Sequence, residues 1–154
     1  MRKAVIGVAV LVVSLVAVFA ASATTTATTK LEATLNGKAD GAPKTNKGKA
    51  EVRLNAATGK VCWEFTLAKI DGKPNQAHIH KGKAGVNGPI VIDLKPSFKG
   101  TSPRVSKKCV TAKASVVSAI RKSPSGYYAN VHTTKNPGGA ARGQLKADTS
   151  GNDG

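Results

Sequence analysis

The amino-acid sequence predicts an all-β fold, an antiparallel β-sandwich or Greek-key barrel, with one short helix. Two observations carry that prediction. Apolar residues recur at every second position through the first half of the chain, the period of a strand with one buried face. Short apolar segments then follow one another to residue 147, separated by clusters of Gly, Pro, Asn and Lys, the punctuation of a many-stranded domain. A chain of 154 residues is one domain's worth of protein.

Residues 1–23 stand outside the fold. Arg2 and Lys3 precede an apolar run from Ala4 to Ala20 that ends in Ala21-Ser22-Ala23, the small-x-small pattern of a signal-peptidase site. Cleavage after Ala23 and export, to the extracellular space or the cell envelope, are therefore expected; an uncleaved anchor is the alternative. No later apolar stretch approaches membrane length, so the mature chain is not expected to insert in a bilayer. Residues 24–29 read as a flexible Thr/Ala leader, 30–148 as the domain, and 149–154 as a flexible Gly/Asp tail.

Leu31, Ala33 and Leu35 form the first alternating segment, Ala50, Val52 and Leu54 the second, and Val61, Trp63, Phe65 and Leu67 the third. Asn55-Ala56-Ala57-Thr58-Gly59 joins the second to the third, a short loop ending in Gly that predicts a hairpin. Further strands are expected at 76–80, 89–94, 107–111, 126–133 and 142–147. Between the third and fourth of these, Val116, Val117 and Ile120 take helical spacing ahead of Ser123-Pro124, which predicts a helix over 112–122.

Cys62 and Cys109 are the only cysteines, and export sends them to an oxidising compartment, where a disulfide is the default. Closing so long a loop is worth about 4 kcal/mol in the chain-entropy model. Cys62 shares strand parity with Glu64 and Thr66, so the bond should lie on the face away from Trp63. A paired-thiol metal site competes poorly, lacking CxxC spacing.

The formal charge is +16, and losing Arg2 and Lys3 leaves +14, since all eight acidic residues lie beyond position 30. Such a charge attracts polyanions and disfavours self-association, so a monomer is expected. Nucleic acid is a poor partner for an exported chain with only Trp63, Phe65, Phe98, Tyr127 and Tyr128 to stack on bases. An anionic polysaccharide or cell-envelope polymer suits the compartment better. Two segments are the expected contributors, a loop bearing Lys44, Lys47 and Lys49 and a loop bearing Lys99, Arg104, Lys107 and Lys108; the competing reading is that these charges only keep the domain soluble.

All three histidines fall in two strand-like segments, Ala77-His78-Ile79-His80 and Ala129-Asn130-Val131-His132. Parity turns Ala77, Ile79, Ala129 and Val131 to the core and the histidines away from it. Imidazoles at i and i+2 share a face, and a third from a neighbouring strand completes a three-nitrogen site suited to copper or zinc. Alternatively each ring holds down a loop by a hydrogen bond, and the Gly-rich segment Lys81 to Pro89 invites that reading. No GxSxG elbow, phosphate loop or acidic calcium motif is present.

These segments resemble the chordin-type (CHRD) domain family over about residues 30–147. The likeness rests on Leu35-Asn36-Gly37, on Ala77-His78-Ile79-His80-x-Gly82-x-x-Gly85-x-x-Gly88-Pro89, on Gly126-Tyr127-Tyr128-Ala129-Asn130-Val131-His132-Thr133, and on Asn136-Pro137-Gly138-Gly139 followed by Arg142-Gly143-Gln144-Leu145. The cysteines look like the pair of secreted bacterial members. Ala140-Ala141 and Ala39-Asp40-Gly41-Ala42-Pro43 depart from the common pattern. The resemblance implies an extracellular binding or structural module with an immunoglobulin-like or superoxide-dismutase-like sandwich, and no defined enzymatic role.

A fainter similarity to copper/zinc superoxide dismutase implies a second reading. By that likeness His78, His80 and His132 match three copper ligands and Arg142 the anion-steering arginine. Ile90 stands where a bridging histidine would follow Gly-Pro, so the likeness implies at most a mononuclear site. An enzyme, on this reading, would be a dismutase-like copper oxidoreductase.

Overall fold

The computed structural model describes residues 28–149. The signal segment at 1–23, most of the 24–29 leader and nearly all of the 149–154 tail lie outside the described residues. Among the described residues there are nine strands and one α-helix: β1 (Thr29–Asn36), β2 (Lys47–Asn55), β3 (Lys60–Lys69), β4 (Pro74–Lys81), β5 (Ile90–Asp93), β6 (Arg104–Thr111), α1 (Ala114–Lys122), β7 (Tyr127–Thr133), β8 (Ala141–Gln144) and β9 (Lys146–Ala147). No described helix is long and apolar enough to cross a membrane.

Every pairing is antiparallel, in the order β5-β4-β7-β8-β1-β2-β3-β6, with β9 also on β1. The order is a Greek key: β4 and β7 are neighbours although α1 and two strands intervene in sequence. The sheet curls into a barrel, since inward residues from both ends of that order, such as Ile79 and Ile92 with Val61 and Phe65, share one hydrophobic cluster. The alternating residues predicted to be buried are so, Leu31 through Leu67 being no more than 3% exposed.

The β2–β3 hairpin forms as its loop sequence predicts. The Asn55 side-chain oxygen accepts from the N–H groups of Ala57 and Thr58, both at 3.1 Å, and Gly59 takes φ +69°. Gly59 also explains why α1 starts two residues after the predicted position. Its carbonyl accepts from Ala112 N–H at 2.9 Å, which extends the β6 edge and leaves Lys113 as the helix cap. Val117 and Ile120 are the buried residues of α1, and the helix stops before Pro124 as expected.

Cys62 and Cys109 stand directly opposite each other on β3 and β6, Cα atoms 4.0 Å apart, and are joined by a disulfide. The two predicted basic loops are corrected by the structure. Lys47 and Lys49 belong to β2 and Arg104 to β6, because the pairing of β2 and β6 with β3 runs farther than apolar alternation reveals, while Lys107 and Lys108 belong to the strand expected at 107–111 and not to a loop. Lys44 alone of the first group, and Lys99 of the second, remain between strands. Lys107 opposes Glu64 on the outer face, whereas Lys108 opposes Trp63.

Candidate metal centre

The register of β4 against β7 builds the site. His78 pairs with Asn130, His80 with Tyr128 and Gln76 with His132. His132 is therefore one same-face step beyond the residue opposite His78, in diagonal contact with it. The three histidines project from the face opposite Ala77, Ile79, Ala129 and Val131, as parity predicts. They are nonetheless buried, each 7–8% exposed, beneath the segment after β4 and the turn after β7.

Those two coverings set the chemistry. His80 Nδ1 lies 2.9 Å from the Gly88 carbonyl and His132 Nδ1 lies 2.9 Å from the Pro137 carbonyl. A carbonyl only accepts, so each Nδ1 carries the proton and each Nε2 is left with a lone pair. His80 Nε2 is buried without a protein partner, and His132 Nε2 faces His78 Nδ1 at 3.1 Å. On the far side of the His78 ring, Nε2 is 3.9 Å from Asp93. One nitrogen from each ring lies within 4.8 Å of the other two. Three points so spaced have a common point within about 2.8 Å, close to imidazole–metal bonds of about 2.0–2.1 Å.

Burial pushes the His78 and His80 imidazoles below the ordinary histidine range. For His78 the neighbouring His132 adds to the effect and Asp93 opposes it; for His80 the Gly88 hydrogen bond opposes it and His132 and Arg142 reinforce it. Neutral imidazole is the form that ligates a metal.

The Gly88 carbonyl reaches His80 because residue 88 has no side chain: a Cβ there would overlap the Lys81 carbonyl. Tyr128 stacks on His80, centroids 4.8 Å apart and planes 10° from parallel, and its hydroxyl accepts from Gly88 N–H at 3.2 Å. Gln144 donates to the Gly82 carbonyl at 2.6 Å, tying down the other end of the same loop.

Arg142 is beside the site but is 5% exposed and well partnered. Its guanidinium lies 4.8 Å from the Tyr128 ring centroid, donates to Asn87 at 2.6 Å, and pairs with Asp40 at 3.4 Å. The other Asp40 oxygen and the Asn130 Oδ1 are buried without partners. Burial raises the Asp40 carboxyl above its ordinary value, against the pull of Arg142 and His132.

Tyr128 and Asn130 share parity with His132, so strand alternation was a sufficient signal to find them. Asn87 and the Gly88 carbonyl lie in the Gly-rich segment expected to be held by a histidine hydrogen bond, and His80 makes that bond; Asp40 and the Pro137 carbonyl had no such signal, coming from loops whose path depends on the closed barrel. Of the basic residues expected to bind polyanions, Lys49 is engaged in ion pairs with Glu51 at 3.1 Å and Glu32 at 3.4 Å. None of those lysines touches the histidine cluster.

Comparison with known families matches residues 31–145 to the CHRD domain. No curated protein and no solved structure matches the chain.

Proposed function

The chain belongs to the CHRD domain family, a binding or structural module, and from that premise we propose that it is an exported metal-binding module holding one copper or zinc ion on His78, His80 and His132. The observation that carries the reading is the bare, buried His80 Nε2, aimed by a carbonyl on the opposite nitrogen in the manner of metal-binding imidazoles. His132 repeats the arrangement with Pro137. His78 offers the nitrogen that faces His132, with Asp93 on its other side. Bound copper would supply a one-electron redox centre and bound zinc a Lewis acid. The chain's own residues hold the rings neutral, fix their tautomers and cover them from water. Export is supported by the charged and apolar leader sequence and by a disulfide of the kind that persists in oxidising compartments.

Titration of the metal-free, oxidised chain with copper(II), followed by electron paramagnetic resonance, tests the proposal. One ion per chain with hyperfine structure from three nitrogens is expected, and zinc should compete for the same site. His80→Gln should remove a nitrogen from the signal and weaken binding, with the fold unchanged by circular dichroism. Copper binding that His80→Gln and His132→Gln leave untouched would overturn the reading.

A further inference from the structure

The outer face of β1, β2, β3 and β6, on the other side of the barrel wall from the core, carries two different rows of charge. In one row Lys146, Glu32, Glu51, Glu64 and Lys107 oppose one another strand by strand. Lys49 and Lys146 neutralise Glu32 and Glu51 there by ion pairs of 3.1–3.4 Å. In the next row Lys30, Arg53, Cys62 and Cys109 oppose one another, with no carboxylate among them. A groove of about 560 Å³ opens over this second row, floored by the disulfide and flanked by Arg53, Lys60 and Lys107, with Glu64 at its border.

Among the described residues none of those three cations makes an ion pair. Three cations against one carboxylate around a concave, partly apolar floor differ from a scatter of solvated lysines, because a cleft walled by low-dielectric protein focuses the field. We infer that this groove binds an anionic saccharide, a stretch of two or three sugar units bearing sulfate or uronate groups. The anions meet Arg53, Lys60 and Lys107, and the sugar's C–H face lies on the disulfide. The volume falls in the range of small-ligand sites, about 300–1,000 Å³. A single-stranded nucleic acid fits less well, since the one aromatic ring at the groove, Trp63, is 3% exposed and offers bases no stacking face. The inference is independent of the histidine cluster, none of whose residues lines the groove.

Isothermal titration of the oxidised chain is the test, run in chelator at about 0.05 M and 0.15 M salt. The probes are a heparin-derived tetrasaccharide, tetragalacturonate, neutral chitotetraose and a short single-stranded DNA. Trp63, the chain's single tryptophan, gives an independent fluorescence readout at the groove. The pair Lys60→Glu and Lys107→Glu should weaken the anionic saccharides by more than about tenfold, while Lys44→Glu with Lys122→Glu, the same charge change on exposed residues outside the groove, should cost under about threefold. If the reversed pair fails to fold, Lys60→Gln with Lys107→Gln replaces it, with the same ordering expected. Equal losses in both pairs, equal binding of chitotetraose, tighter binding of DNA, or no saccharide binding at the lower salt would each overturn the inference.

Discussion

The centre is a set of individual residues whose environments disagree with their ordinary chemistry. His78 and His80 bind protons less readily folded than unfolded, because burial disfavours the charged ring. The unfolded chain therefore takes up more protons as pH falls below about 6.5, so the stability these rings contribute is complete above that value and is lost as pH falls through their lowered folded values. Asp40, raised by burial, has the opposite sign, its window opening at the ordinary carboxylate value and running upward from there. Urea denaturation of the metal-free protein should show stability declining from pH 7.5 to 5.5, with a shallower slope in His80→Gln. Arg142 invites a second expectation. Its removal leaves the buried Asp40 carboxylate without the guanidinium that pairs with it, so Arg142→Met should cost about 3–5 kcal/mol. Adding Asp40→Asn should recover part of that loss, and equilibrium unfolding of the single and double variants measures both.

At the scale of elements, the loop between β4 and β5 matters as much as the strands that carry the histidines. Gly88→Ala should push this loop off Lys81, take the Gly88 carbonyl away from His80 Nδ1 and weaken metal binding by about 10–100-fold, the usual cost of losing a tautomer-fixing partner. Competition with a chromogenic chelator reads the affinity, and thermal unfolding should move little, since the loop lies outside the hydrophobic cluster. Element identities were legible because alternation reports which face is buried: Leu31 to Leu67 follow it without exception, whereas β7 and the Ala77–His80 part of β4 are buried on both faces, so that parity there says only which way each residue points. The helix start was not, because a carbonyl 53 residues away in sequence, that of Gly59, captured Ala112. Register was also hidden. Parity says that His132 faces the same way as its neighbours on β4, but only the observed pairing of Gln76 with His132 makes His78 its diagonal contact. Sequence likewise could not reveal that Lys107 joins Arg53 and Lys60 at one groove while Lys49 is held by Glu32 and Glu51.

At the scale of the whole molecule, the curled sheet ends in β5 on one side and β6 on the other. Ser97 N–H donates to the Ser106 hydroxyl at 2.9 Å, and Lys99 bridges to Val105, so the chain between these strands partly seals the seam. Beyond that patch, among the described residues, no strand pairs with the other edge of β6, and such an edge is a template on which another chain can add a strand. It is here that Lys107 and Lys108 sit side by side, one projecting to each face of the strand, while β5 at the opposite end is only four residues long. The alternation that divides the two lysines between faces therefore places a charge on whichever side an incoming strand would pack. Replacing both with valine should turn a dispersed protein into one that associates edge to edge, visible as a concentration-dependent rise in light scattering and thioflavin fluorescence, whereas valine at Lys44 and Lys122 should leave the chains apart.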